Sequence, residues 1–425
     1  MRKRPWVILA ILGFGTTAHA QEVTAPSEGK SPFQFHGFFL GALSGRLTGE
    51  SPPGSDGGDF VLAEERVRLD LQGAFSSAFL QIKGDAFHDA IQNEVHGDLR
   101  EAYAGYAEGP VDLRFGRQIV TWGVGDLFYV NDVFPKDWES FFSGRPMEYL
   151  KLGVDGFRTQ IFSSAVNVDL LVIPFFTPDR LPSAQRFFFF DPFSSISNRI
   201  VTEPESRYSN IEAAVRLSRR LLDTDLSLYF DRGFWRNPSV RVDDPAAPTT
   251  ATEFHPELFV YGASLQRNLA GGVISLEGGY YDSADDRNGT DSTVPNSEWR
   301  FLVGHQRELW RDFIAGIQFY GEVLDNYGAY RDTLPAGFPA RDRFRGVIST
   351  RLTQWLKYQT LKLTLFAAVS PTDADYFVQP EISYRVTDSL GVAIGANIFG
   401  GSEVTTFFGQ FDKSDNAYLQ VRYDF

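Results

Sequence analysis

Hydrophobic and polar residues alternate one by one along most of the chain from about Phe33 onward. In the last segment the apolar residues occupy odd positions and mostly polar residues occupy the even positions between them. The apolar set is Ala417, Leu419, Val421, Tyr423 and Phe425. Because successive side chains of a β-strand point to opposite faces, this pattern predicts a strand with one apolar and one water-compatible face.

Similar segments recur through the chain, and tight turns alternate with long polar connections. Bacterial membrane barrels have this asymmetry and an even strand number. We therefore predict an all-β fold, a transmembrane antiparallel up-and-down β-barrel of about 18 strands, with 16 as the alternative, short periplasmic turns and long extracellular loops. The predicted strands lie near 34–47, 60–72, 75–87, 97–107, 110–120, 148–162, 166–175, 206–219, 224–235, 255–268, 272–283, 297–308, 311–324, 342–355, 358–370, 375–386, 389–399 and 415–425.

A soluble β-sandwich or β-solenoid would also alternate. Sandwich strands usually run about 5 or 6 residues, however, and these segments are about twice as long. An open sheet of this width would also leave two unpaired edges, whereas closure removes them and lipid covers the apolar face. The length of the segments therefore favours the membrane barrel.

The first 20 residues have the pattern of a secretory signal peptide. Arg2, Lys3 and Arg4 precede a short apolar run, and Ala18-His19-Ala20 follows it. That run is shorter than the roughly 20 residues of a spanning helix. We predict a signal peptide at 1–20, a short periplasmic segment at 21–33 and the barrel at 34–425. The periplasmic segment is too short for a folded plug domain.

Composition restricts the partners and cofactors. The chain has no cysteine, which argues against disulfides, a lipoprotein anchor and thiolate metal sites. Its formal net charge is −14, and loss of three signal cations makes the mature chain more acidic, so nucleic acid is not expected as a partner. We predict no cofactor and no metal.

Strand parity predicts which charged residues line the interior. The candidate pore-lining residues are Arg66, Arg68, Lys83, Arg114, Lys151, Glu212, Arg216, Glu322, Arg343, Arg345, Arg351, Glu381, Arg385 and Arg422. Asp70, Asp85, Asp112, Asp155 and Lys362 are assigned to the same face. Two interpretations stay open: the charges pair across strands and stabilise the wall, or Arg343, Arg345 and Arg351 form a stripe that attracts anions.

Two long loops contain further candidate residues. The loop after the fifth strand is a candidate constriction loop that folds into the pore, with an ordinary aromatic rim as the alternative. Its candidate residues are Trp122, Asp126, Asn131, Asp132, Lys136 and Asp137. The second loop carries the hydrophobic run Phe187, Phe188, Phe189 and Phe190. These rings are expected to pack on other loops or inside the barrel, or else to form a landing site for a hydrophobic substrate or lipid.

The run Gly-Arg-Gln-x-x-x-Trp-Gly at residues 116–123, with Asp126 and Asn131-Asp132 after it, resembles an uncharacterised proteobacterial outer-membrane barrel family. More loosely, it is similar to the alginate-export and carbohydrate porins. The terminal Val421-x-Tyr423-x-Phe425 is similar to the signature that the barrel-assembly machinery reads. The resemblance implies a porin-like barrel and carries no catalytic residues.

A barrel of 16 to 18 strands is too wide for its own side chains to fill, so water enters. The sequence therefore predicts an outer-membrane channel for small solutes, narrowed by the inward-folded loop. The alternatives are a structural or adhesive barrel or a sheath for a partner, and an outer-membrane hydrolase, although no nucleophile or metal motif accompanies the five mature histidines. The expected partners are outer-membrane lipid and lipopolysaccharide, the assembly machinery and a small solute, and a homo-oligomer is left open.

Overall fold

The computed structural model describes residues 31–55 and 57–425. The predicted signal peptide and residues 21–30 of the predicted periplasmic segment lie outside the described residues. Eighteen strands of the described chain form one antiparallel sheet. They are β1 (Phe33–Arg46), β2 (Phe60–Phe75), β3 (Ala78–Asp89), β4 (Glu94–Glu108), β5 (Val111–Gln118), β6 (Val154–Ile161), β7 (Asn167–Ile173), β9 (Glu212–Leu221), β10 (Thr224–Phe234), β13 (Glu257–Leu269), β14 (Gly272–Ser283), β15 (Glu298–Trp310), β16 (Phe313–Leu324), β17 (Phe344–Leu356), β18 (Leu361–Ser370), β19 (Asp375–Arg385), β20 (Leu390–Gly401) and β21 (Asn416–Asp424).

The first and last strands close the sheet into a barrel. β1 pairs with β21 from Phe38 opposite Asp424 to Arg46 opposite Asn416. Just beyond this ladder, the amide of Gly37 donates to the carbonyl of Phe425 at 3.0 Å, and the amide of Phe425 donates back at 2.9 Å. The predicted antiparallel barrel of 18 strands is therefore confirmed. The end that holds Phe33, Phe425 and the tight turns is called the turn end, and the opposite end is called the loop end.

The alternating residues point as expected in the last strand. Leu419, Val421 and Tyr423 are exposed on the outside of β21, whereas Asn416 and Tyr418 are buried inside. The same apolar exterior continues around the barrel, where large hydrophobic side chains stand exposed on nearly every strand. Lipid is the environment that suits such a surface.

Several elements depart from the predicted boundaries. β6 begins at Val154 rather than near 148, because residues 147–150 turn into a 3-10 helix that packs inside the barrel. β9 begins at Glu212 rather than near 206, after a 3-10 turn at Tyr208–Asn210. A small sheet in the outer loops, β8 (Asn198–Val201), β11 (Ser239–Val242) and β12 (Thr250–Phe254), was not predicted.

Two short helices also lie in the loops, α1 (Trp138–Phe142) and α2 (Tyr327–Thr333). Within the described residues, no helix is both long and apolar enough to cross a membrane.

The wall is lowest at β5, β6 and β7, which have eight, eight and seven residues. β5 pairs only with the turn-end half of β4, from Ala102 to Glu108. Beyond that point the guanidinium of Arg100 donates to the carbonyls of Glu148 and Lys151, at 2.7 and 2.8 Å. Beyond the end of β5, the long loop between β5 and β6 therefore supplies the contacts to β4.

Asp155 was predicted to face the interior, and this prediction is wrong. It lies opposite Arg117 in the β5–β6 ladder, on the same outward face as the exposed Phe115 and Phe157. The Nε of Arg117 and the Oδ1 of Asp155 are 3.1 Å apart. The predicted strand began six residues too early, inside the 3-10 helix. The inward and outward positions counted from that start therefore do not apply to β6.

Candidate functional site: the lumen and its inward loop

Residues 119–153 connect β5 to β6 and form one loop inside the barrel, here called the inward loop. It contains α1 and the 3-10 helix Met147–Leu150, and most of its residues are buried. The carboxylate of Asp137 caps α1 by accepting from the amide of Ser140 at 2.7 Å. The carboxylate cap satisfies a backbone donor that would otherwise be buried without a partner. The loop therefore has a fixed internal structure of its own.

Phenylalanines fix the inward loop to one side of the wall. Phe142 packs edge-on against Phe399 of β20, with ring centroids 5.1 Å apart, and against Phe377 of β19 at 5.7 Å. Phe141 joins the same cluster together with Phe366 of β18. Phe366, Phe377 and Phe399 lie on the inward face of the wall, which was expected to be polar. Apolar rings are stable there because the inward loop, rather than water, covers them.

Polar contacts fix the first arm of the inward loop to other strands. The indole of Trp122 donates to Asp169 of β7 at 3.2 Å. Asp126 accepts from the guanidinium of Arg351 of β17 at 2.9 Å. The side chain of Asn131 donates to Glu277 of β14 at 3.0 Å.

The second arm is held by ion pairs on β2 and β21. Arg145 and Glu64 of β2 lie 2.8 Å apart, with both side chains nearly inaccessible to solvent. Glu148 contacts Arg68 of β2 at 2.7 Å and Arg422 of β21 at 3.0 Å. The inward loop is thus tied to strands around the whole circumference of the barrel.

The six candidate constriction residues all lie on the inward loop, in two roles. Trp122, Asp126 and Asn131 make the wall contacts described above. Asp132 instead pairs with Lys136 of the same loop, at 3.0 Å, while Asp137 caps α1. Burial lowers the pKa of Lys136, and the neighbouring Asp132 opposes that shift. These last three residues hold the loop's own shape.

Most of the candidate pore-lining charges on the strands are paired. Arg66 contacts Glu64 at 2.6 Å and Asp85 at 2.7 Å. The other pairs are Arg68 with Asp85, Lys83 with Glu101, Arg114 with Asp112, Glu212 with Arg236, Arg216 with Asp169, and Glu322 with Arg345. The structure therefore favours charges that pair and stabilise the wall.

The three arginines of the suggested anion stripe do not form a row of free cations. Arg343 is exposed and precedes β17. Arg345 contacts Asp373 at 2.7 Å, and Arg351 is held by Asp126 of the inward loop. The stripe was one of two open interpretations and rested on the shared parity of the three side chains, whereas the acidic partners Asp373 and Asp126 lie in loops whose positions parity does not give.

Of three further candidate residues, Lys151 does not lie on a strand, whereas Arg385 and Glu381 share the inward parity of β19. Lys151 belongs to the inward loop, where it contacts Asp132. Arg385 is exposed at the turn end of β19. Glu381 faces inward on the same strand and accepts from the hydroxyl of Tyr418 at 3.0 Å.

A cavity of about 240 Å³ remains between the inward loop and the wall. The polar residues that the loop contributes include Asp126, Asp132 and Lys151. The wall residues are Arg351, Lys362, Thr364, Gln379, Glu381 and Tyr418. Lys362 has no ion-pair partner within the described part of the chain, and the buried hydroxyl of Thr364 has no hydrogen-bond partner there either. The cavity thus offers polar groups of both signs to a solute.

The phenylalanine run of the second loop divides into packed and exposed rings. Phe187 is 1% exposed and contacts Phe411, with ring centroids 6.2 Å apart. The amide of Phe188 donates to the hydroxyl of Ser414 at 3.0 Å. Phe189 is 38% exposed and Phe190 is half-buried. The run therefore packs on the barrel mouth through its first residues.

The histidines lie apart from the cavity. His88 contacts the carboxylate of Glu65 at 3.1 Å on the outer surface, and His255 contacts the carbonyl of Trp235 at 2.8 Å. Among the described residues, no histidine hydrogen-bonds to a serine.

The glycine motif at residues 116–123 has a steric explanation. Gly116 adopts a φ of +124°, and a Cβ there would collide with the carbonyl of Ala102. Gly123, at a φ of +80°, lets the loop pass close to Glu277. Both positions favour glycine because other residues rarely adopt positive φ.

Sequence reasoning missed residues that anchor the inward loop. Glu64 and Glu277 share the inward parity of their strands, so their position was detectable. Arg145 and Glu148 were not, because no periodicity exists in the loop that carries them. Their partners lie far away in the sequence, which local patterns do not reveal.

Solved structures share this fold. The chain is similar to Pseudomonas aeruginosa OccK2 (OpdF) in complex with glucuronate, with 10% identity, a TM-score of 0.57 and coverage of 92% of this chain and 97% of that chain. It is also similar to Acinetobacter baumannii OccAB3, with 9% identity, a TM-score of 0.54 and coverage of 92% and 99%. No family model and no curated protein matches the sequence, so the resemblance to the uncharacterised barrel family stays a prediction. At such identities the likeness shows the barrel fold alone.

Proposed function

We propose that this chain is an outer-membrane channel through which small polar solutes pass. The observation that carries the proposal is the closed 18-strand barrel, whose width exceeds what its own side chains fill, together with the polar cavity between the inward loop and the wall. In this arrangement the apolar exterior faces lipid and the turn end faces the periplasm.

We propose further that the inward loop narrows the path. Its two arms bind β2, β7, β14, β17 and β21, so a solute has to pass beside the loop rather than push it against one side. The remaining passage would include the cavity, where Lys362 and Glu381 carry opposite charges on neighbouring strands. Walls of mixed sign suit polar solutes without strong preference for either ion.

The remaining expectations accompany this proposal. The C-terminal strand would be read by the barrel-assembly machinery, the exterior would contact phospholipid and lipopolysaccharide, and several copies could assemble. We do not propose an enzymatic activity.

The test is conductance of the purified barrel in planar bilayers, combined with liposome swelling in sugars, organic acids and hydrophobic compounds. A variant in which a short Gly-Ser linker replaces residues 124–149 should conduct at least about twice as much current, because an unobstructed barrel of this size holds an aqueous channel. As a control, the same linker replaces residues 335–340 of an outer loop, and this variant should leave the current unchanged.

The outcomes separate the two parts of the proposal. If the natural barrel and the shortened variant are both silent, the channel is overturned and the structural or adhesive alternative is favoured. If both conduct equally, the channel stands and narrowing by the inward loop is overturned.

A further inference from the structure

An apolar groove of about 580 Å³ lies on the outward face of β9, β10, β13 and β14. One cross-strand row contains Leu217, Leu228, Ala263 and Gly278. The two small residues in this row leave a depression between larger neighbours. The next row toward the turn end has leucine on three strands, and its fourth member, on β9, is Arg219.

Arginines cluster on the outward face at the turn end of this groove. Arg219, Arg267 of β13 and Arg307 of β15 are all exposed there. Within the described residues, none of the three has an ion-pair partner within 4 Å or a side-chain hydrogen bond. Three unpaired guanidinium groups beside an apolar depression are a cationic edge without an internal counter-charge.

The rest of the turn end looks different. Around β1, β4, β19 and the C-terminus, the outward residues at this height are exposed aromatics. They are Phe33, Phe35, Tyr106, Tyr384 and Phe425. Such rings form the usual girdle at a membrane interface. The arginine cluster therefore marks one sector of the barrel rather than the whole circumference.

We propose that this sector binds a phospholipid of the periplasmic leaflet, with one acyl chain in the groove and the phosphate held by Arg219 and Arg267. Guanidinium groups bind phosphate through paired, charge-assisted hydrogen bonds. Apolar burial of the chain adds to this attraction. The proposal rests on the proposed membrane location but not on conduction, because the groove faces away from the lumen.

The test is native mass spectrometry of the full mature barrel, extracted from membranes in a mild detergent. The natural barrel should retain a phospholipid. The double variant Arg219→Gln/Arg267→Gln should retain at least about tenfold less of it, which corresponds to a loss of about 1.4 kcal/mol or more of binding free energy. The matched control is Arg220→Gln, because Arg220 is adjacent, exposed and on the opposite face, near Asp223. It should retain lipid like the natural barrel.

A second variant, Ala263→Phe, fills the groove without removing a charge and should also reduce retention. Equal retention by the natural barrel and the double arginine variant would overturn the phosphate site, and full retention by Ala263→Phe would overturn the acyl-chain groove. Heat-modified migration on gels shows that each variant is folded. Bilayer conductance should not differ between the natural barrel, Arg219→Gln/Arg267→Gln and Ala263→Phe, because all three substituted residues face away from the lumen. A silent natural barrel that still retains lipid would count against the channel alone.

Discussion

At the residue scale, the interior charges of this barrel are arranged as shared pairs. Glu64 is the clearest case, because its carboxylate contacts both Arg66 of its own strand and Arg145 of the inward loop. Its side chain is inaccessible to solvent. A buried carboxylate is tolerated only when such partners compensate its lost hydration. One residue therefore joins wall and loop.

Glu64→Gln should destabilise the folded barrel by about 3 kcal/mol, because it leaves two buried guanidinium groups without their shared counter-charge. The measurement is urea unfolding in lipid vesicles. The neighbouring Glu65→Gln is the control, since Glu65 points outward and its side chain is 73% exposed. It should change the free energy of unfolding by less than about 0.5 kcal/mol. Equal effects would show that the pairing does not matter.

Asp126→Asn should make the channel more selective for anions, because it frees the cationic Arg351 beside the cavity. Reversal potentials under a salt gradient should shift toward the anion value, with a roughly twofold change in permeability ratio. Asp191→Asn, which breaks a pair with Arg199 in an outer loop, is the control. An unchanged reversal potential in Asp126→Asn would indicate that solutes bypass this cavity.

At the scale of elements, the strands were predictable from the sequence, whereas the contacts of the inward loop were not. Alternation of polar and apolar residues is a local property, so every long strand was predicted near its true position. An error arose where the residues of a 3-10 helix were predicted as the beginning of a strand, as before Val154. The inward position of the loop was suggested, but its partners were not. Phe377 and Phe399 point inward because Phe142 covers them, and that contact joins residues more than 230 positions apart.

The run Phe187–Phe190 in the second long loop contains both packed and exposed rings. Phe187→Ala should destabilise the barrel by about 3 kcal/mol, because it removes a fully buried ring from the cluster at the mouth. Phe189→Ala, two residues away and 38% exposed, should cost less than about 1 kcal/mol. Thermal unfolding of both variants tests the packing role. Uptake of hydrophobic solutes by the same variants tests the landing site, which would predict the larger loss of uptake in Phe189→Ala.

At the scale of the whole molecule, closure depends on the seam between β1 and β21. Phe425 contributes two backbone hydrogen bonds to Gly37, and its ring packs against Phe39 with centroids 5.2 Å apart. Leaving this seam open would expose strand edges to the membrane, where unpaired backbone groups are very unfavourable.

Deletion of Phe425 should therefore reduce the yield of heat-modifiable, folded barrel severalfold, whether assembly occurs in cells or in lipid vesicles. Comparison of the two settings separates loss of recognition by the assembly machinery from loss of the seam itself. Tyr384→Ala, another exposed aromatic at the turn end, is the control and should assemble normally. A normal yield after deletion in both settings would contradict this role of the terminal residue.

The inward loop has a mechanical consequence as well. A wide β-barrel without internal contacts is easily deformed, so that its cross-section flattens into an ellipse. Because the loop is bonded to β2, β7, β14, β17 and β21, it acts as a strut across several diameters at once. The segment that enters the lumen should therefore also make the barrel harder to flatten.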